Sequence, residues 1–357
     1  MTKPMPLDQF ARLPRLLRAE VVDGLSTALD TVAERAAQTH RFLRYQWFAA
    51  AIRAYGGRAR TVIVHAEDAP ELALPIVSTG PSWLRAAQVP GSYWPFRSFP
   101  LADNAGAEVI EAALGELARQ VNVLRIGPVY DDDPAAAALV TGARAHGWAV
   151  VERTAGQTHL LHLPEAAADG WPRASSLRKN RAQERQLASQ GAPEWRFLSA
   201  PDWPEAFDAL ARIEHRSWIE TRTDGSGAKF TETGHGAFWR ALAEDRVLAG
   251  MMQGLLLTVG DRPAAFCFNL SSGATHYGIA TSYDPAFARY SPGRLLLYRN
   301  LAAALERGTT ILDWGMGDGG YKSMIGATPG PMIRDWLLLR PGLPARLAPL
   351  ARRMWRD

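Results

Sequence analysis

A single cysteine, Cys267, stands among 357 residues, so no internal disulfide can form. It lies in the apolar run AAFCFNL and reads as a small core residue in a chain suited to a reducing compartment. No apolar stretch reaches the roughly 20 residues that span a bilayer. The longest, 247–259, is interrupted by Gln253 and two glycines, and is expected to be a loop followed by a core strand. The first 22 residues carry prolines, Asp8 and arginines where an export signal needs unbroken apolar chain, so a cytoplasmic location is expected. Charge of one sign is also missing. Forty Lys and Arg against 36 Asp and Glu leave a net +4, which permits nucleic acid without indicating it. His159 and His162 in THLLHL lack a third ligand at suitable spacing and point to opposite faces of a strand, so no metal is expected.

What is present is a pattern that recurs. The segment 40–57 has apolar residues at helical spacing and stops at a glycine pair. TVIVHAEDAPELALPIV then reads as a hairpin, AEVIEAALGELARQ as a helix, VNVLRIGPV as a strand, DPAAAALVTGARAHGW as a helix, and WAVVERTAGQTHLLHL as two strands. Later, GLLLTVGDRPAAFCFNL is again a hairpin, SPGRLLLYRNLAAALERG a helix ended by glycine, and TTILDWGMG a strand. Asp68 and Asp261 are 193 residues apart and Leu124 and Leu312 are 188 apart, offsets close enough to suggest an internal duplication. Between the copies, SSLRKNRAQERQLASQG predicts a polar helix capped by Ser175 or Ser176 and ended by Gly191.

Two stretches carry candidate chemistry. In TSYDPAFARYSPGRLLLYRNL a strand end leads through Arg289 to Ser291, Pro292 and Gly293 and into an apolar helix. Proline near the first helical position defines the helix start, and Gly293 removes a side chain where first-turn N–H groups meet an anion. Arg289 and Arg294 add charge-assisted contacts. In ILDWGMGDGGYKSMIG a strand enters a glycine-rich loop. Its G-x-G-x-x-G is not a dinucleotide fingerprint, since only 37 residues follow Gly320 and a βαβ unit needs more. Tyr321 separates Gly320 from Lys322, so it is not a P-loop either. The loop instead lets Asp313, Tyr321 and Lys322 converge: the carboxylate to accept an amine proton and the phenol to protonate a leaving thiolate. An Asp313–Lys322 salt bridge holding a turn is an equal alternative.

Three further features have a structural and a functional reading. Arg178, Arg181 and Arg185 share one helix face, which suits an anionic substrate, a tRNA backbone or phospholipid, though most such stripes are simply solvated. Glu214, one helical turn before Trp218, is a candidate general base beside an aromatic wall, with an ordinary salt-bridged glutamate as the alternative. The tail places Leu343, Leu347, Leu350 and Met354 at helical spacing among arginines, an amphipathic segment for the body or a membrane surface, with Pro349 against one long helix.

Taken together, SSLRKNRAQERQL, the IEHRSWIE helix, YSPGRLLL before a helix ending at Gly308, and DWGMGDGGYKSMIG resemble the acetyltransferase-like family of bacterial polysaccharide loci. These are the CelD/BcsL-type members of the GNAT superfamily, related to the FemAB-like aminoacyltransferases. The resemblance implies an α/β (α+β) fold of two tandem GNAT-like halves, each a mixed sheet flanked by helices. It divides the chain into an N-terminal half (1–172), an arginine-rich connecting helix (173–191), a C-terminal half with the donor site (192–340) and a basic amphipathic tail (341–357).

The implied activity is transfer of an acyl group from acetyl-CoA or another acyl-CoA to an amine, such as an amino sugar or other small amine of polysaccharide or envelope biosynthesis. Aminoacyl-tRNA as donor, or a non-catalytic binding role, are the alternatives. In GNAT enzymes the pyrophosphate sits on a loop Q/R-x-x-G-x-G/A, for which Arg289, Gly293 and Leu295 stand here, the leucine being a departure. Tyr321 is carried over as the thiolate-protonating tyrosine, and the N–H groups of Gly278 to Ala280 as the oxyanion donors. Arg178, Arg181 and Trp218 are assigned to the acceptor.

Overall fold

Apolar runs rich in Val, Ile, Leu and Phe, too short to be helices and covered on both faces, build one sheet of twelve strands. The computed structural model describes residues 15–91, 96–217, 228–317 and 320–355, with the backbone alone for Tyr321. The strands are β1 (Leu17–Asp23), β2 (Ala59–Ala66), β3 (Ala69–Thr79), β4 (Ala86–Gln88), β5 (Val123–Tyr130), β6 (Ala149–His162), β7 (Pro193–Leu198), β8 (Met252–Val259), β9 (Arg262–Ser272), β10 (Thr275–Tyr283), β11 (Ile311–Met316) and β12 (Thr328–Leu339). Their order in the sheet is β1-β2-β3-β4-β5-β12-β6-β11-β10-β9-β8-β7.

This order contains the duplication. Strands β1–β5 and β7–β11 run inward from the two edges, and in each set the fourth and fifth strands are parallel, Ala87 opposite Leu124 and His276 opposite Leu312. The last strands are exchanged. β6 pairs with β11 of the second half, and β12 pairs with β5 of the first. Because β6 and β12 also pair with each other, the hydrogen-bond ladder is continuous across both halves. One hydrophobic cluster likewise joins Trp47 and Phe48 to Trp239 and Phe268.

Helices cover the sheet: α1 (Ala28–Arg35), α2 (Tyr45–Tyr55), α3 (Ala107–Gln120), α4 (Pro134–Ala145), α5 (Leu163–Ala168), α6 (Ala174–Leu187), α7 (Trp203–Arg216), α8 (His235–Ala243), α9 (Arg246–Met251), α10 (Pro292–Glu306), α11 (Tyr321–Met324), α12 (Leu343–Arg346) and α13 (Ala348–Met354). Both expected hairpins are present as β2–β3 and β8–β9, and Cys267 is buried, its thiol pushed up to about 12 by that burial.

Four expectations are corrected. WAVVERTAGQTHLLHL is one strand, β6, because it must reach both β12 and β11. Residues 246–251 form helix α9, capped by the Asp245 carboxylate, which accepts from the Val247 and Leu248 N–H groups at 2.9 Å each. The arginine-rich helix starts after Arg173 without a side-chain cap, so Ser175 and Ser176 lie inside it. It ends at Leu187, and a 3₁₀ turn separates it from Gly191.

Candidate functional site

The site begins where β10 and β11 part. Their parallel pairing covers only 275–277 against 311–313, after which β10 continues to Tyr283 and β11 to Met316. On the other side of β10 the register with β9 shifts between Gly278 and Ala280, making Ile279 a bulge residue that re-aims the strand at this opening. A Cβ on Gly278 would stand 3.3 Å from the Asp313 carbonyl oxygen, so glycine allows the close approach from which the strands diverge.

Asp313, at 4% exposure, lies at the parting point. Its carboxylate accepts hydrogen bonds from the Thr158 hydroxyl on β6 and from the Gly315 N–H at 2.7 Å, and the Tyr130 phenol at the end of β5 lies near enough to favour its ionised form. Burial pushes its pKa up; these donors and the nearby Lys322 charge offset the rise only in part. The Tyr130 and Tyr277 rings stack with centroids 6.4 Å apart. Burial, and then the Asp313 charge, raises both phenols, so both are protonated at neutral pH.

Lys322 does not stand in the opening as a mobile cation. Its ammonium donates to the carbonyl oxygens of Trp314 at 2.8 Å and of Gly315 and Met316 at 3.1 Å, closing the glycine-rich turn. Tyr321 lies at the start of α11, and its side chain is outside the described residues.

A second polar cluster adjoins Tyr277. The Tyr277 hydroxyl approaches the Thr39 carbonyl at 3.4 Å, and the Thr39 hydroxyl lies 2.8 Å from His40 Nδ1. His40 Nε2 is 2.8 Å from Asp133, whose other oxygen accepts from the Ser98 hydroxyl and the Ala136 N–H, also at 2.8 Å. Serine and histidine both address the aspartate, so Ser98 is no activated nucleophile; the carboxylate caps α4. Burial lowers the His40 pKa, but the charge and hydrogen bond of Asp133 outweigh it and the net direction is up.

The turn before α10 is only partly an amide seat. Ser291 adopts the left-handed conformation, φ 54° and ψ 47°. The N–H groups of Arg294 and Leu295 already donate to the Ser291 carbonyl, which leaves Gly293 as the first-turn N–H without a carbonyl partner among the described residues. The stronger feature is Arg294, whose buried Nε and Nη2 atoms have no hydrogen-bond partner among the described residues. Leu295 points into a core cluster with Leu255, Leu257 and Tyr290 and so does not narrow the turn. Counting back three residues from Gly293 gives Tyr290, so Arg289 is one residue outside the motif spacing. Its guanidinium lies over the Tyr290 ring, 4.6 Å from the centroid, and donates to the Tyr290 hydroxyl.

Other candidates lie apart from Asp313. Arg178, Arg181 and Arg185 are exposed on α6. That helix is held beside the turn by Arg299 on α10, which donates to Glu184 at 3.0 Å, and by Gln183, whose amide N–H₂ faces the carbonyls of Arg289 and Tyr290 at 3.3 Å. Glu214 is 1% exposed, and its Oε2 accepts from the N–H groups of Lys229 and Phe230 at 2.8 and 2.9 Å, which anchors that segment; burial pushes its pKa up. Trp218 is outside the described residues. A cavity of about 420 Å³ in the first half, lined by Arg60, Thr79, Ser82, Arg85 and Gln120 among others, includes none of the candidates. Among the described residues no cluster of three or more His, Cys, Asp or Glu is placed to hold a metal.

The duplicated register identifies the first-half counterparts. Arg125 on β5 occupies the position of Asp313 on β11, and Asp335 on β12 that of Thr158 on β6. There the polar pair is closed: Asp335 is fully buried between Arg125 at 2.6 Å and Arg153 at 2.9 Å. Trp355 covers both guanidinium groups. The counterpart of Arg125 in the second half, Asp313, is held instead by the Thr158 hydroxyl and the Gly315 N–H. Residues 174–323 match the family model of the acetyltransferase (GNAT) domain. The GNAT match thus covers the turn before α10, the β10 bulge and Asp313, while Tyr130 and Thr158 come from outside it.

Similar solved structures extend over nearly the whole chain. FemX aligns with 13% identity and a TM-score of 0.61, covering 93% of this chain and all of that one. A C-terminal DUF2156 domain attributed to a lysylphosphatidylglycerol synthetase of Agrobacterium fabrum gives 13% and 0.54, covering 91% and 94%. L-PGS of Bacillus licheniformis gives 13% and 0.51, covering 87% and 94%. At such identities the likeness is one of fold: a mixed α/β fold of two GNAT-like halves. No curated protein sequence matches the chain.

Sequence reasoning missed Tyr130, Tyr277, Thr158, His40 and Asp133. Tyr130 and Thr158 reach Asp313 only through the strand exchange, which leaves no local signal. Only the DDDP run after Tyr130 hinted at a helix cap.

Proposed function

We propose that the second half transfers an acyl group from acyl-CoA to a small amine, with Asp313 as the proton acceptor. The observation that carries this reading is Asp313 itself, a buried carboxylate with a raised pKa at the parting of two parallel strands inside the matched acetyltransferase region. A base with a raised pKa takes a proton from an ammonium group more readily than an ordinary carboxylate does. The neutral amine then attacks the thioester carbonyl carbon and the carbonyl oxygen takes up negative charge beside the β10 bulge at Gly278 to Ala280; as the carbonyl re-forms and the C–S bond breaks, the thiolate takes a proton from Tyr321, whose phenolate is restored by the proton the nitrogen loses on becoming an amide. Thr158 and the Gly315 N–H hold the carboxylate, and Lys322 acts as a positioning residue for the 314–316 backbone.

The residues present fit a diphosphate-bearing donor at the turn before α10. Arg294 has buried donors without partners, Gly293 has an available N–H, and both stand at the positive end of a 15-residue helix. Ser291 sets the turn, and Arg289 supports it through Tyr290. An amino sugar of polysaccharide or envelope biosynthesis, the CelD/BcsL-type role, is the acceptor class we favour.

The exposed stripe of Arg178, Arg181 and Arg185 beside the same turn favours one alternative, aminoacyl-tRNA as donor. Turnover of acetyl-CoA and other acyl-CoA esters with amino sugars, measured beside aminoacyl-tRNA and on the Asp313→Asn variant, separates the two. Acyl-CoA turnover that disappears with Asp313 supports the proposal. Transfer from aminoacyl-tRNA alone, with salt-sensitive binding, replaces it.

A further inference from the structure

We propose that the segment 340–355 is a docking surface for an anionic phospholipid bilayer. Helices α12 and α13 follow one another directly, Leu347 closing the first and preceding the second. An amphipathic helix ordinarily turns its large apolar side chains toward the protein. Here the body side is taken by small residues, Ala345, Ala348 and Ala351, all half-buried, and by Trp355, which lies over the guanidinium groups of Arg153 at 5.0 Å and Arg125 at 5.9 Å. The large apolar residues face outward instead: Leu343 is 72% exposed, Leu347 48%, Leu350 54% and Met354 77%. Their spacing of four, three and four residues makes them one stripe.

Charge identifies the occupant. Arg346 and Arg353 are exposed beside the stripe, each three residues after one of its leucines, and the sequence from 340 to 355 contains no Asp or Glu. A second copy packed on the same stripe would set arginines against arginines. An anionic headgroup layer takes the leucines into its acyl boundary and the guanidinium groups at its phosphates at the same time. The docked alanine face fixes the orientation in advance, so the segment meets the surface without rearranging. Among the described residues no helix is long and apolar enough to cross a membrane, so the contact is peripheral.

The test is sedimentation of the full chain with vesicles of phosphatidylcholine alone and of phosphatidylcholine mixed with phosphatidylglycerol. Binding to the mixed vesicles only is expected, weakening as salt is raised. The Leu347→Asp/Leu350→Asp and Arg346→Glu/Arg353→Glu variants should partition about tenfold more weakly or worse. Because these side chains are exposed, both variants should melt at the parent's temperature, which separates lost docking from lost folding. A parent that ignores anionic vesicles, or a Leu347→Asp/Leu350→Asp variant that binds them as the parent does, overturns the proposal. So does a vesicle-free dimer that the same variant dissolves, since the stripe would then be a self-association surface.

Discussion

Thr158 on β6 donates its hydroxyl to the carboxylate of Asp313 on β11, so the first half supplies a donor to the buried acid of the second. The contact exists because β6 and β12 trade places and bring the inner edges of the two halves together. The duplication has diverged accordingly. One copy keeps a buried carboxylate held by the Thr158 hydroxyl and the Gly315 N–H, while the other closes its equivalent position with Arg125, Asp335 and Arg153.

Replacing Asp313 with Asn should leave the fold in place and lower kcat by about 10²–10⁴-fold, the usual worth of a general base. In the parent, kcat should rise with pH through a value above the ordinary carboxylate 3.8, since burial raises the Asp313 pKa. The stability sign is opposite. A carboxyl whose folded pKa is raised contributes most below its unfolded value and loses that contribution as pH rises through the folded value. Chemical denaturation across this range should show a decline in the parent that is absent in Asp313→Asn.

Tyr130→Phe removes a phenol hydroxyl that favours the ionised form of Asp313. The acid limb of the kcat profile should therefore move to higher pH, with a smaller loss of rate at its plateau than Asp313→Asn causes. An unmoved limb would mean that Tyr130 has only a packing role.

The His40–Asp133 pair should appear in stability and not in chemistry. The folded pKa of His40 is raised, so its contribution is complete below the ordinary 6.5 and is lost as pH rises through the folded value. His40→Ala should flatten that slope in urea titrations. Asp133→Asn should cost more, about 3–5 kcal/mol, because it leaves the His40 charge without its partner and weakens the cap on α4.

How much of this was legible in the sequence follows from the range of each interaction. The hairpins, the Pro292 helix start and the burial of Cys267 are set by residues within a few positions of one another, and they appear where the pattern placed them. The single long β6 was read as two strands because its length answers to two partners distant in the chain. Asp313 was legible as a loop carboxylate, but Thr158 lies 155 residues from it, and only the exchanged sheet shows that they touch. Lys322 was legible as a charge; its use on three successive carbonyls depends on a turn whose path no spacing rule gives.

The two arginines at the donor turn should differ. Arg294→Ala removes donors that lack protein partners and should weaken acyl-CoA binding about 10–100-fold, the worth of hydrogen bonds between charged groups. Arg289→Ala removes a guanidinium already engaged with Tyr290 and should cost several-fold less. Isothermal titration of both variants checks the ranking.

The most direct measurement is the acyl-CoA-induced rise in melting temperature of the parent and of Gly293→Glu. A Cβ at Gly293 meets only the Tyr283 ring, at 3.6 Å, so the variant is expected to fold, with its carboxylate projecting at the proposed diphosphate position. At 100 times its Kd the donor should stabilise the parent by about 2.7 kcal/mol and leave Gly293→Glu unshifted. An equal shift in both proteins would contradict the placement of the donor at this turn.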